Sequence, residues 1–232
     1  MKIIGVTIAF YPEKEEIENN IQSYIDSVDC LIIWDNTPEI LRSTDFPKYK
    51  GKVLIMGTAV NTGIGYALNA AAKFAIAEGY TWMLTMDQDS CFHNSDFFDL
   101  FAITQKNNLG LISPVHHPRR YNNKMTTPTA IDLIATSGNI INLKAWEEIG
   151  GFNEALFIDE VDHDFCLRLI EKGYQVLECK SILLNHKLGD IKKIKTLRGK
   201  TISISLHSPL RTYYIVRNSF YIFDRYKTVF RK

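Results

Sequence analysis

The chain has 232 residues, of which 46% are apolar and 23% charged, and its formal net charge is +1. That balance describes a globular protein and excludes a disordered one, while no apolar run approaches the roughly 20 residues that span a bilayer. Four cysteines, Cys30, Cys91, Cys166 and Cys179, lie far apart with no Cys-x-x-Cys pair, which argues against zinc or disulfide frameworks and for a reducing cytoplasm.

The amino terminus, Met1 to Val6, reads as a strand with no signal-peptide cleavage pattern, and its apolar run continues to Phe10 before Pro12 breaks it. Ile17, Ile21, Ile25 and Val28 then recur at helical spacing. Cys30 to Trp34 is a second buried strand that ends in a turn signature, Asp35-Asn36-Thr37-Pro38. Val53 to Met56 is a third strand. After Asn61-Thr62-Gly63 comes an alanine-rich helix with Leu68, Ala71, Ala72 and Ala75 on one face. Trp82 to Met86 is a fourth strand, stopping at Asp87-Gln88-Asp89-Ser90. Ser95-Asp96 opens a helix carrying Phe97, Phe98, Phe101 and Ile103, and Leu109 to Val115 is a fifth strand. Successive β-α units predict an α/β fold with a mostly parallel, doubly wound sheet whose ligands bind at the carboxyl ends of the strands. The polar residues at those ends are Tyr11, Asp35-Asn36, Asn61 and Asp87-Gln88-Asp89.

From His116 the pattern changes. His116 to Thr129 is polar and basic without periodicity, which reads as a mobile loop that could close over a ligand. Ile131 to Leu143 reads as a strand interrupted by Ser137-Gly138-Asn139. Phe157 to Lys172 reads as a loop becoming a helix that ends at Gly173, and Tyr174 to Leu184 as a further strand. From Lys187 to the end, twelve Lys and Arg face two acids, interleaved late on with Tyr213, Tyr214, Phe220, Tyr221 and Phe223. A basic tail on an acidic body points to an anionic partner such as a diphosphate or a lipid headgroup, or else to a solvated basic surface.

Several clusters could carry chemistry. Asp87 and Asp89, one residue apart at a buried strand end, can turn toward one crevice and hold Mg²⁺ or Mn²⁺ through oxygen. Asp35 can accept a hydrogen bond from a base imide or ribose, or simply form its turn with Asn36. Asn61-Thr62-Gly63-Ile64-Gly65 opens a helix whose N–H groups could face a ligand. The alternative is capping by Asn61 or Thr62, with glycines for close packing. Asp159, Asp162 and His163 lie near a helix start, either as favourable charge there or with a carboxylate as general base. His186 is open between metal ligand, diphosphate contact and surface histidine.

Taken in order, these motifs resemble family-two glycosyltransferases. The resemblance rests on Val6-Thr7 through Tyr11-Pro12, Asp35-Asn36, Asn61-Thr62-Gly63-Ile64-Gly65-x-Ala67-Leu68-Asn69 and Asp87-Gln88-Asp89-Ser90. It continues in Gly150-Gly151-Phe152-Asn153-Glu154 with Asp162, Asp164 and Arg168, so it covers about residues 2 to 190. Asp-Gln-Asp-Ser, Phe157-Ile158-Asp159-x-Val161-Asp162, His186-x-x-Gly189-Asp190 and His207 through Pro209, Arg211, Tyr213-Tyr214 and Arg217-Asn218 look like the rhamnosyltransferases among them.

The resemblance implies a GT-A fold: a nucleotide-sugar-binding half, 1–115, merged with a smaller mixed acceptor-side sheet in 116–232. It implies an inverting, divalent-cation-dependent transfer of L-rhamnose from dTDP-L-rhamnose to a polysaccharide or lipid-linked saccharide. A UDP-hexose or UDP-N-acetylhexosamine donor, or a non-catalytic protein on the same fold, are the alternatives. Carried over by position, Thr7, Tyr11, Asp35, Asn36, Asn61, Gly63 and Asp87 would bind the nucleotide sugar. Asp87, Asp89 and His186 would bind the metal, and Asp162 would be the base. Asp159, His207, Arg211 and Arg217 would face the acceptor or the diphosphate. Many members have Glu-Asp where this chain has Val161-Asp162, and Asp159 one turn earlier keeps the choice of base open. The chain stops where relatives often continue, so it reads as truncated. The aromatic, basic tail either touches the inner membrane face, making a cytoplasmic protein peripheral, or packs back on the catalytic unit. No nucleic-acid partner is expected.

Overall fold

A computed structural model describes residues 1–37, 41, 45–104, 107–186, 191–195, 201–205 and 207–227, the two segments 191–195 and 201–205 as backbone only. The amino-terminal half is built as β1 (Ile3–Ala9), α1 (Lys14–Ile21), β2 (Cys30–Asp35), β3 (Val53–Gly57), α2 (Gly63–Ala77) and β4 (Trp82–Asp87). There follow β5 (Ser90–Cys91), α3 (Asp96–Thr104), β6 (Leu109–Val115), β7 (Thr129–Ala130), β8 (Asn139–Asn142), α4 (Leu143–Glu148) and α5 (Val161–Glu171). The chain continues with β9 (Gln175–Leu183), β10 (Asn185–His186), β11 (Ile191–Lys195), β12 (Thr201–Ser205) and α6 (Pro209–Arg225).

Eight strands form one sheet in the order β3-β2-β1-β4-β8-β6-β9-β7. The first four run parallel, β8 is antiparallel to both neighbours, and β9 returns parallel to β6. The apolar period of two seen in the sequence sorts side chains onto two faces. Ile3, Leu31, Ile33 and Leu84 join α1 and α3 in one core layer, while Ile4, Val6, Ile32, Trp34 and Met83 join α2, α4 and α5 in the other. Parallel register sets Ala9 beside Asp35 and Ile8 beside Asp87, so the polar strand ends share one edge.

Three expectations change. The helix begun at Lys14 ends at Ile21, and Ile25 belongs to a separate 3-10 turn, Ile25–Ser27, so the four apolar positions are not one helix. The strand expected over 131–143 is only Asn139–Asn142. Asn142 accepts hydrogen bonds from the N–H groups of Lys144 and Ala145 and thereby starts α4 at Leu143. The expected free loop after His116 is tied down: Arg120 pairs with Glu178 at 2.9 Å, and the Asn122 N–H donates to the Lys180 carbonyl at 2.7 Å. Its first half is therefore anchored on β9 rather than free to act as a lid.

Candidate active site

Strand ends, their connecting loops and the helices α5 and α6 build the site. β4 delivers Asp87 at its last position, and the Asp87 N–H donates to Ser137 Oγ at 3.0 Å, which fixes the turn that follows. Gln88 faces the other way. Its side-chain oxygen accepts from the Phe10 N–H at 2.8 Å, and its own carbonyl accepts from Asn20 Nδ2 at 2.8 Å, so it ties the β1–α1 connection to the carboxylate turn. β5 then pairs antiparallel with β10, setting Ser90 opposite His186.

That short pairing explains why a residue about a hundred positions later joins the carboxylates. His186 Nδ1 lies 2.8 Å from Ser90 Oγ and 3.2 Å from Asp89 Oδ1. One ligand atom each from Asp87, Asp89 and His186 falls within 4.8 Å of the others. Burial, and next the neighbouring Asp89 carboxylate, lift the Asp87 carboxyl to about 6. Asp89 likewise lifts the His186 imidazole above its usual value. Two crowded carboxylates with one imidazole suit a divalent cation of the Mg²⁺ or Mn²⁺ kind, and the set fits such an ion chemically.

Asp162 sits in the first turn of α5, and its carboxylate adds a smaller part to the rise of the Asp87 carboxyl. Its Oδ2 accepts from Thr136 Oγ1 at 3.3 Å and its Oδ1 from the His163 N–H at 2.9 Å. Thr136 is fixed in turn through its carbonyl, which accepts from Thr85 Oγ1 on β4 at 2.6 Å. His116, whose Nε2 meets the Ser137 carbonyl, has its imidazole held below the usual range chiefly by burial. From α6, Arg211 makes a two-pronged pair with Asp159 at 3.0 and 3.1 Å, and its positive charge is felt at Asp87.

Other expected contacts fall differently. Thr7 is 1% exposed, and its hydroxyl is engaged with Tyr24 Oη at 2.8 Å in the core, so it is not presented to a nucleotide. Asp35 is a turn former: Oδ1 accepts from the Thr37 N–H and hydroxyl, and Oδ2 from the Leu41 N–H at 3.1 Å. Asn36 Oδ1 takes donors from Trp34 and from both Thr62 groups, binding β2 to the start of α2. Asn61 Oδ1 caps that helix by accepting from the Gly63 N–H at 3.0 Å.

Gly63, at φ +80, lies against Phe157, where an added Cβ would come within 2.7 Å of the carbonyl oxygen. The glycines thus serve close packing, and the Ile64 N–H donates to that same carbonyl at 2.7 Å. Tyr11 stays exposed beside the site at φ +46. Arg217 is spent on the carbonyls of Ala155 and Leu156, and His207 is exposed ahead of α6. Gly189 and Asp190 lie outside the described residues. Gln88 was noted only as a polar strand-end residue, and Thr136, Ser137 and His116 were not singled out as site residues, although the break at Ser137-Gly138 marked the position of two of them.

The fold is shared with solved structures of GT-A type. One is GalNAc-T7 solved with UDP, GalNAc and Mn²⁺: TM-score 0.68, 12% identity, 80% of this chain and 44% of that one. Another is the 1–349 segment of TarS from S. aureus, in complex with UDP-GlcNAc, at TM-score 0.61, 15% identity, 82% of this chain and 60% of that one. The chain thus spans less than two thirds of these structural relatives. The architecture defines the class as a GT-A-fold protein with the mixed, mostly parallel sheet that the sequence implied.

The family model Glycosyl transferase family 2 matches residues 6–166, and the chain belongs to that family. It is also 26% identical over 237 aligned positions to dTDP-rhamnosyl transferase RfbF of Shigella flexneri, covering 94% of this chain and 78% of the relative. It is therefore a transferase that uses a sugar nucleotide. No helix among the described residues is long and apolar enough to cross a membrane.

Proposed function

We propose that the protein is an inverting rhamnosyltransferase that moves L-rhamnose from dTDP-L-rhamnose to a saccharide or lipid-linked saccharide. The observation that carries this reading is the convergence of Asp87, Asp89 and His186 in one cluster whose field Asp162 shares. The choice of donor is supported by the likeness to RfbF along nearly the whole chain. A divalent cation, Mg²⁺ or Mn²⁺, held by Asp87, Asp89 and His186 would supply charge to offset the departing diphosphate.

The chain's own residues do the rest. Asp162 Oδ takes the proton of the acceptor hydroxyl as that oxygen forms its bond to the anomeric carbon. The bond from that carbon to the diphosphate oxygen breaks on the opposite face, so configuration inverts and dTDP leaves. Thr136 and the His163 N–H hold the Asp162 carboxylate in place, which limits the reorganisation needed at the moment of transfer. Arg211, oriented by Asp159, adds positive charge beside Asp87 where the diphosphate would lie. Tyr11, exposed after β1, lines the nucleotide side, and the protein works in the cytoplasm with α6 touching the membrane face.

Calorimetry with dTDP-rhamnose, UDP-glucose, UDP-N-acetylglucosamine, UDP-galactose and GDP-mannose, each with Mn²⁺, tests the donor. Preference for dTDP-rhamnose that disappears in Asp89→Ala is the expected result, and preference for a UDP-sugar refutes the rhamnose assignment. Asp162→Asn should keep donor affinity and lose roughly 10²–10⁴-fold in donor turnover, the usual worth of a general base. Near-normal turnover in that variant would move the base elsewhere.

A further inference from the structure

Three of the four residues Phe157, Ile158, Asp159 and Glu160 have positive φ without being glycine: +65, +60 and +65 for Phe157, Asp159 and Glu160. Side chains rarely adopt that conformation, and it persists only where the surroundings hold it. Glu160 is also the residue before α5, and it makes no side-chain cap. The orientation of Asp162 two residues later therefore depends on how this turn is held.

At Phe157 the Ile64 N–H holds the carbonyl at 2.7 Å, and the rest of the hold comes from α6. Asn218 is fully buried, and its Nδ2 donates to the carbonyls of Leu156, Ile158 and Asp159, each at 2.8 Å. Its Oδ1 accepts from Arg217 Nε at 2.9 Å, which fixes the amide plane so that the NH₂ faces the turn. Tyr214 stacks on Phe157 with ring centroids 4.9 Å apart, and Arg211 takes the Asp159 carboxylate. Asn218 grips the backbone at the strained Asp159 and at the flanking Leu156 and Ile158. A carboxylate of the same size could not substitute, because it would set negative charge against three carbonyl oxygens with no hydrogen to share.

We propose that Asn218 is a positioning residue for catalysis: its amide clamps the 156–159 backbone in the left-handed turn that aims Asp162 at the acceptor. The inference rests on the proposed role of Asp162 as base, but the clamp itself is testable without it. The experiment uses the full chain with Asn218→Asp. Mn²⁺-dependent release of dTDP from dTDP-L-rhamnose is followed with water as acceptor, beside hydrogen exchange of the folded protein.

Turnover should fall roughly 10–100-fold, as misplacement of a reacting group does, while donor KM stays within about threefold. Exchange should rise at the amides of 157–163 and at Ile64, whose N–H reports on the Phe157 carbonyl. Adding Glu160→Gly should recover much of the lost rate, since glycine takes φ +65 without strain. A residue that merely docked α6 would not be rescued that way. Unchanged turnover and exchange overturn the proposal. So does a joint loss of turnover, donor affinity and melting temperature that glycine does not relieve. If the wild-type protein releases nucleotide from no donor, the functional reading fails, and exchange at 157–163 alone decides whether the clamp exists.

Discussion

Asp87 shows how a single side chain can trade stability for use. Its carboxyl titrates at about 6 in the folded protein against 3.8 as a free group, first through burial and then through Asp89. Between those values the folded state holds a proton that the unfolded chain has released. Stability from this group therefore grows as pH falls from 6 toward 4 and is missing above 6. Asp87→Asn removes the cost, so the metal-free variant should melt higher at pH 7.5 by roughly 2 kcal/mol, or about 5 °C, with the gain vanishing near pH 4. The same variant should lose cation-dependent donor binding. Differential scanning calorimetry at the two pH values reads the first effect, and a variant that melts no higher at pH 7.5 would show that Asp87 carries no such burden. At this scale the carboxylate pair was legible from its place: Asp-x-Asp alone is also the string of an exposed acidic turn, but here it ends a buried strand at the edge where parallel strand ends gather. Thr7 and Asn36 were not. A short polar side chain at a strand end looks the same whether it faces solvent or, as here, closes a buried hydrogen bond to Tyr24 or to Thr62.

Among the elements, α6 bears on two expectations at once. The tail's arginines and aromatics suggested an interface for an anionic membrane, with packing onto the catalytic unit as the other possibility. The helix packs one face on the catalytic unit and leaves the other exposed. Arg211 and Arg217 turn inward onto Asp159 and the 155–156 carbonyls, and Tyr226 just after the helix bonds Asp164 Oδ1 at 2.8 Å. Outward lie Leu210, Tyr213, Val216, Phe220 and Phe223, all more than half exposed.

A proposed membrane contact through that face is apolar and should respond little to salt, unlike a basic patch. Sedimentation with vesicles at low and high ionic strength separates the two, with Phe220→Ser and Phe223→Ser as controls. Binding released by salt and indifferent to these substitutions would exclude the helix as the contact. The division could not be read in advance, since amphipathic spacing shows that a helix has two faces and not which of them the protein covers.

Across the whole molecule, the parallel β-α order of the first half was readable because each unit is local and its hydrophobic period is unbroken. The second half hid its order. β8 reverses between β4 and β6, and β9 and β7 extend the sheet, pairings set by tertiary packing rather than by any nearby residue. The site inherits that non-locality. Asn20 reaches Gln88 across 68 positions and Ser90 reaches His186 across 96. Asn218 meets the turn before α5 across 59 to 62. These spans have a consequence during synthesis. A growing chain lays down Asp87 and Asp89 first and Asp162 next, yet the amide that steadies the turn before Asp162 leaves the ribosome after all three. On the proposed roles, a nascent polypeptide that already carries Asp162 stays idle until Asn218 has also emerged and reached the turn.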